Sequence, residues 1–163
     1  MVHIGVGLAA KRIAPKINVG LLILAAEFIE VIFIVLWALG IENIPSDELA
    51  SYSPYSHSLV MGVFWTLVAS LFVFWRTRKH TTTLLIGALV FSHTILDLIA
   101  SPRTAFFAND TGMPIFLNPS ITVGLGLWRF ETLALSLEYG SVVAGLVVYW
   151  FARKRFKQAV PMS

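Results

Sequence analysis

Four long apolar runs, at about 19–41, 58–75, 82–100 and 127–151, alternate with short polar stretches along the chain. Each approaches the roughly 20 residues that a helix needs to cross a ~30 Å hydrocarbon core. The pattern predicts an all-α fold: a polytopic membrane protein with a four-transmembrane-helix bundle in one domain over residues 1–163. Residues 1–14 read as a short N-terminal helix, amphipathic or partly inserted, that Pro15 ends or breaks from the first span. That first span has two glutamates and no small-residue cleavage site, so it is not expected to be a cleavable signal. The segment 101–126 mixes Pro102, Pro114 and Pro119 with Phe106, Phe107, Ile115, Phe116 and Leu117. Irregular backbone at membrane depth persists only where protein buries it or it lines a cavity. This loop is therefore expected to fold back over the mouth of the bundle as a cap.

Ionisable residues interrupt the apolar pattern at Glu27 and Glu30 in the first run, His93 and Asp97 in the third, and Glu138 in the fourth. His57, in the cluster Tyr55-Ser56-His57-Ser58, stands at the mouth of the second. Such groups at bilayer depth cost a few kcal/mol each, so they face the bundle interior and mark functional sites. Glu27 and Glu30 lie three apart and His93 and Asp97 four apart, spacings that put each pair on one helix face. Because successive spans run in opposite directions, Glu27, Glu30, His93 and Glu138 can approach one layer between the bilayer centre and its outer side. Asp97 and His57 are expected nearer the outer surface.

Composition narrows the alternatives. Hydrophobic residues make up 57% of the 163 residues and charged residues 13%, against about a quarter charged in soluble domains. There is no cysteine, which excludes disulfides, thiolate metal sites and cysteine nucleophiles. The net charge of +3 is no nucleic-acid signal, because the basic residues flank the spans. All but Arg103 and Arg129 of the twelve lie before the first span, in the 76–81 link or after the fourth. The positive-inside rule then makes both termini and that link cytoplasmic. The loops at about 42–57 and 101–126 face outward, carrying Glu42, Asp47, Glu48 and Asp110. Trp37, Tyr52, Tyr55 and Trp128 fall near the outer boundary, and Trp75, Tyr149 and Trp150 near the inner one, an aromatic-belt pattern.

Two histidines with several carboxylates suit Zn²⁺, Mn²⁺ or iron and can leave positions open for water. A bound ion of this kind lowers the pKa of its water, and a carboxylate can then act as general base or orient a ligand histidine. The same groups also suit a proton or ion relay or interhelical polar contacts. His57 alone reads equally as an interfacial residue, with Ser56 or Ser58 as a helix N-cap. His3 is either terminal and free or folded into the bundle. His80 reads as a solvated residue of the cytoplasmic turn, and Glu131 as a partner of Arg129. No phosphate-binding loop, dinucleotide fingerprint or nucleophile elbow is present.

The order LAAKRIAP, AAEFIE, PYSHSL, SHTILDLI and VGLGLW, with His3 before it and Glu138 after it, resembles the membrane-bound metal-dependent hydrolases of the YdjM family. The resemblance spans about residues 1–140. It implies an inner-membrane protein with a divalent-metal site made by His3, Glu30, His57, His93 and Asp97. Glu27 and Glu138 would then serve as base or as support for the ligands. Glu30 departs from the pattern, which has aspartate there. The implied activity is hydrolysis of a lipid-like or membrane-soluble ester or phosphoester through a metal-activated water. A small transporter or ion relay, and an accessory subunit of a larger membrane complex, are the other classes the residues allow. Expected partners are membrane lipids and a second copy or a larger complex.

Overall fold

The computed structural model describes residues 2–43, 53–118 and 120–158. The expectations for Asp47, Glu48, Tyr52 and Pro119 lie outside the described residues. Helices dominate: α1 (Val2–Ala9), which passes into a 3₁₀ turn over Ala10–Arg12, then α2 (Val19–Ala26), α3 (Phe28–Ala38), α4 (Pro54–His57), α5 (Leu59–Thr77), α6 (His80–Ala100) and α7 (Glu131–Gln158). Three of them (α5, α6 and Glu131–Arg155 of α7) are long and apolar enough to cross a membrane. A fourth span exists if α2 and α3 count as one.

Helix ends follow local chemistry. Asn18 caps α2 by accepting from the Gly20 N–H, and Ser58 caps α5 by accepting from the Met61 N–H. Pro54 occupies the first turn of α4, where its missing N–H costs nothing. Between α5 and α6, Arg78 takes a left-handed conformation at φ 55° that closes α5 by returning its N–H to the Phe74 carbonyl, the usual geometry of a left-handed C-cap.

Two spans differ from the sequence pattern. Residues 19–41 read as one continuous helix, yet α2 and α3 meet at a 61° bend. Glu27 sits at the break with φ −97° and ψ 7°, away from helical values. No proline or glycine marks the position. The structural counterpart is a long-range contact: the His93 ring, from α6, engages the carbonyl of Ala26, and a side chain that enters the backbone ladder is a known cause of kinks. The fourth run starts differently too. Leu127–Arg129 form a separate 3₁₀ turn, Phe130 is extended, and α7 begins at Glu131.

The helices approach closely through small residues, as in membrane bundles. Gly5 of α1 lies against Ser141 and Gly145 of α7, where a Cβ on either glycine would strike the opposing backbone. Gly62 of α5 fits against Thr94, and Gly87 of α6 against Ser70. The helix α1 is therefore packed into the bundle against α7. Val2 lies beside Glu138, and at the other end Arg12 lies beside Phe151, Lys154 and Arg155. A buried cluster of Leu22, Ile29, Leu89 and Val90 ties α2, α3 and α6 together. By contrast, only 11% of the apolar window of α5 and of α7 is buried. Leu71, Phe72, Val143 and Leu146 on those helices point outward.

The 101–126 loop packs on the mouth of the bundle, as its composition predicts. A two-residue antiparallel pair joins Met113 and Pro114 to Val123 and Thr122. The Ile115 carbonyl accepts from the Val60 N–H, docking the loop on the start of α5. Asp110 accepts from the Arg103 and Gly112 amides and so closes the loop on itself. Met113, within the loop, is buried.

Candidate metal centre

Two overlapping triads converge beneath this cap: His3 with His93 and Asp97, and Glu30 with His57 and His93. Four donor atoms form a ring in which nitrogen and oxygen alternate. His93 Nε2 lies 3.3 Å from Asp97 Oδ2 and 3.9 Å from Glu30 Oε1; His57 Nε2 lies 3.6 Å from Asp97 Oδ2 and 3.7 Å from Glu30 Oε1. These separations are short enough for a single ion to reach donors of either triad. His3 completes the group. Its ring stacks on His93 with centroids 3.7 Å apart and planes 11° apart, and its Nε2 is 3.7 Å from Asp97 Oδ1.

Backbone and side-chain contacts aim both central imidazoles. Ala26 is the last residue of α2, one of the positions whose carbonyls lack an intrahelical partner. It lies 2.9 Å from His93 Nδ1. A carbonyl only accepts, so Nδ1 carries a proton and Nε2 is the ring atom turned toward the carboxylates. His57 is aimed by a relay. Glu42, fully buried, accepts from the Tyr55 and Ser56 amides at 2.7 and 2.9 Å and from Ser56 Oγ at 2.6 Å. Ser56 Oγ is 2.7 Å from His57 Nδ1. With its single proton directed to the carboxylate, the hydroxyl accepts from Nδ1–H, and His57 Nε2 is likewise the atom turned toward Glu30 and Asp97. Outer partners of this kind fix the tautomer of metal-ligating histidines.

His93 Nε2 and Asp97 Oδ2 are both buried without a hydrogen-bond partner, although they face each other. Buried polar atoms left unpaired cost about 1–3 kcal/mol each. A divalent ion among these donors satisfies both, so the residues present fit a bound ion; mixed imidazole and carboxylate donors suit Zn²⁺, Mn²⁺ or iron.

Of the residues expected at the site, the fold brings together His3, Glu30, His57, His93 and Asp97. His57 and His93, expected at different depths, have ring centroids 5.6 Å apart. Glu27 and Glu138 belong to neither triad. Glu27 Oε1 is buried at the helix break without a hydrogen-bond partner. Glu138 Oε2 accepts from the Val2 N–H at 3.2 Å, holding the start of α1 and thereby His3, the next residue. Glu42 and Ser56 carry functions that the sequence did not disclose. Ser56 read as a helix cap and Glu42 as an outer-loop charge; thirteen residues of unpatterned chain separate them, and no spacing rule links them.

Fold and centre together define a class: an apolar helical bundle, bent at one span, that encloses a buried histidine–carboxylate centre able to hold a metal ion. No family model, no curated protein and no solved structure matches the chain.

Proposed function

We propose that the chain is a membrane-embedded, metal-dependent hydrolase of the YdjM type acting on a lipid-like ester or phosphoester. One observation carries the reading: two imidazoles whose Nδ1 positions are engaged elsewhere turn their Nε2 atoms toward Glu30 and Asp97. With Nδ1 occupied on both rings, Nε2 is the atom each offers to an ion, and ligation takes it in its deprotonated form. When bound, the ion supplies a water of lowered pKa. Hydrolysis adds that water across the ester: its oxygen goes to the carbonyl carbon or phosphorus, and a proton goes to the departing alkoxide. Glu30, with a side chain 36% exposed beside otherwise buried ligands, is the carboxylate placed to exchange protons with the surroundings.

The clustering of basic residues supports an inner-membrane orientation with both chain ends toward the cytoplasm. Arg12, Lys154 and Arg155 share one end of the bundle, opposite the capped centre. The test is elemental analysis of protein purified without chelator, with turnover assayed on single-chain and diacyl esters and phosphoesters. Near-stoichiometric metal, lost in His93→Ala together with turnover, is the expected result. Protein that is metal-free and still active overturns the proposal.

One feature favours a second reading. A span broken at a buried carboxylate, as at Glu27, is the arrangement by which ion-coupled transporters hold ions at mid-depth. Ion flux in proteoliposomes that is abolished by Glu30→Gln, without hydrolytic turnover, would establish it.

A further inference from the structure

Asp97 stands between two cavities of opposite character. The first, about 230 Å³, lies between α1, α6 and the start of α7. Val2, Leu96, Ile99, Leu127, Trp128 and Leu137 wall it, and His3 and Asp97 are its ionisable lining. The second, about 20 Å³, lies under the outer loop against His57, Ser101, Arg103 and Asp110. A polar space of roughly 10–15 Å³ already accommodates one water, so the second cavity fits a water-sized group. The first is smaller than the roughly 300–1,000 Å³ of sites for drug-sized ligands. Its apolar wall and limited volume suit one flexible chain, not a pair of acyl chains. His3 supplies a second, independent pointer. Its Nδ1 is buried without a hydrogen-bond partner, a cost that a ligand's polar end removes.

We propose that the apolar cavity seats a single aliphatic chain of an amphiphile, with its polar end against His3 and Asp97. Water reaches the same carboxylate from the polar cavity on its other side. The assignment of that amphiphile as substrate rests on the hydrolase reading; the seating of the chain does not. The substrate class is then a single-chain ester or phosphoester, whose whole apolar part the cavity takes, whereas a diacyl lipid would leave one chain outside it. Transfer from bilayer to cavity gains little hydrophobic energy, because lipid tails are as apolar as the cavity wall. Selectivity comes from the polar end and from the single-chain volume.

The test is photolabelling of the full chain in nanodiscs with dodecanoic acid that carries a diazirine near its methyl end, followed by peptide mapping. The expected label is saturable and maps to Leu96, Ile99, Leu127, Trp128 or Leu137. Unlabelled dodecanoate displaces it and a didodecanoyl phospholipid does not. Ala100→Phe and Leu137→Trp, which fill the cavity, each lower the label by about tenfold, the scale of loss when a filled space is overpacked. Leu137 is 39% exposed, so its variant tests the idea even if Ala100→Phe fails to fold. Unsaturable label spread over the outward faces of α5, or label unaffected by Leu137→Trp, overturns the proposal. Equal displacement by the diacyl lipid overturns the single-chain assignment. Saturable cavity label in a protein without hydrolytic turnover retains the cavity and removes the hydrolase; turnover with scattered label does the reverse.

Discussion

Replacing Ser56 by alanine isolates the contribution of the relay to the metal centre. The substitution removes the hydroxyl that accepts from His57 Nδ1 and donates to Glu42, contacts of 2.7 and 2.6 Å. Glu42 keeps its bonds from the Tyr55 and Ser56 amides, so the turn that carries His57 retains its shape. What is lost is the fixed tautomer and ring orientation of one ligand. Removing a partner of this kind lowers metal affinity by about 10–100-fold, equivalent to about 1.4–2.7 kcal/mol. Competition with a chromophoric chelator on detergent-purified protein measures the change. Ser58→Ala is the matched control: it removes the N-cap bond of α5 at 3.3 Å, costs about 1 kcal/mol of stability, and leaves metal affinity unchanged. Wild-type affinity in Ser56→Ala, or an equal loss in Ser58→Ala, would refute the relay.

Further outcomes follow from the same geometry. Chelator lowers the thermal midpoint: a metal present at 100 times its Kd stabilises by about 2.7 kcal/mol, and at roughly 2–4 °C per kcal/mol the shift is about 5–11 °C by scanning fluorimetry or calorimetry. Gly145→Leu pushes α1 off α7, because even a Cβ at that position meets the Gly5 backbone; stability falls by about 1–3 kcal/mol or more. Gly140→Ala, with open space around it, is neutral or stabilising by roughly 0.5–1 kcal/mol, as denaturation of the two variants shows. Metal affinity declines as pH falls, because imidazole and carboxylate ligands must shed protons to bind. Calorimetry in buffers of different ionisation enthalpy counts the protons released, and pH-independent affinity would contradict ligation by histidine.

The membrane-compatible helices were legible because hydropathy reports directly on length and burial in lipid. The pairing of His93 with Asp97 was legible too, because four residues make one helical turn. The junction of His57 with His93 was not. Their apparent depths differed along ideal straight spans, and the short helix over Pro54–His57 and the cap carry His57 inward. The bend at Glu27 was equally hidden, since local sequence shows no breaker there and the partner of the Ala26 carbonyl is 67 residues away in sequence. Glu138 adds a contact of the same hidden kind: it accepts from the Val2 N–H at the first turn of α1, where an anion also complements the helix dipole. The sequence therefore exposed residues whose partners are local and concealed those whose roles depend on long-range contacts.

Charge counting argues for the valence of the ion. Every close contact between ionisable groups at the centre joins an imidazole to a carboxylate, while Arg103 lies 3.6 Å from Asp110 within the cap. With His57 and His93 neutral, as metal ligation requires, Glu30 and Asp97 bring two negative charges to the centre of a bundle surrounded by apolar side chains. Uncompensated charges at such depth are costly, and a buried pair left without its partner is strongly destabilising. One divalent ion cancels both charges without moving a proton onto either ligand nitrogen. A monovalent ion leaves one charge uncancelled. Two protons on the Nε2 atoms cancel both charges as well but occupy the same lone pairs, so protons and a divalent ion compete for the centre, and a divalent ion that binds there displaces protons from the imidazoles.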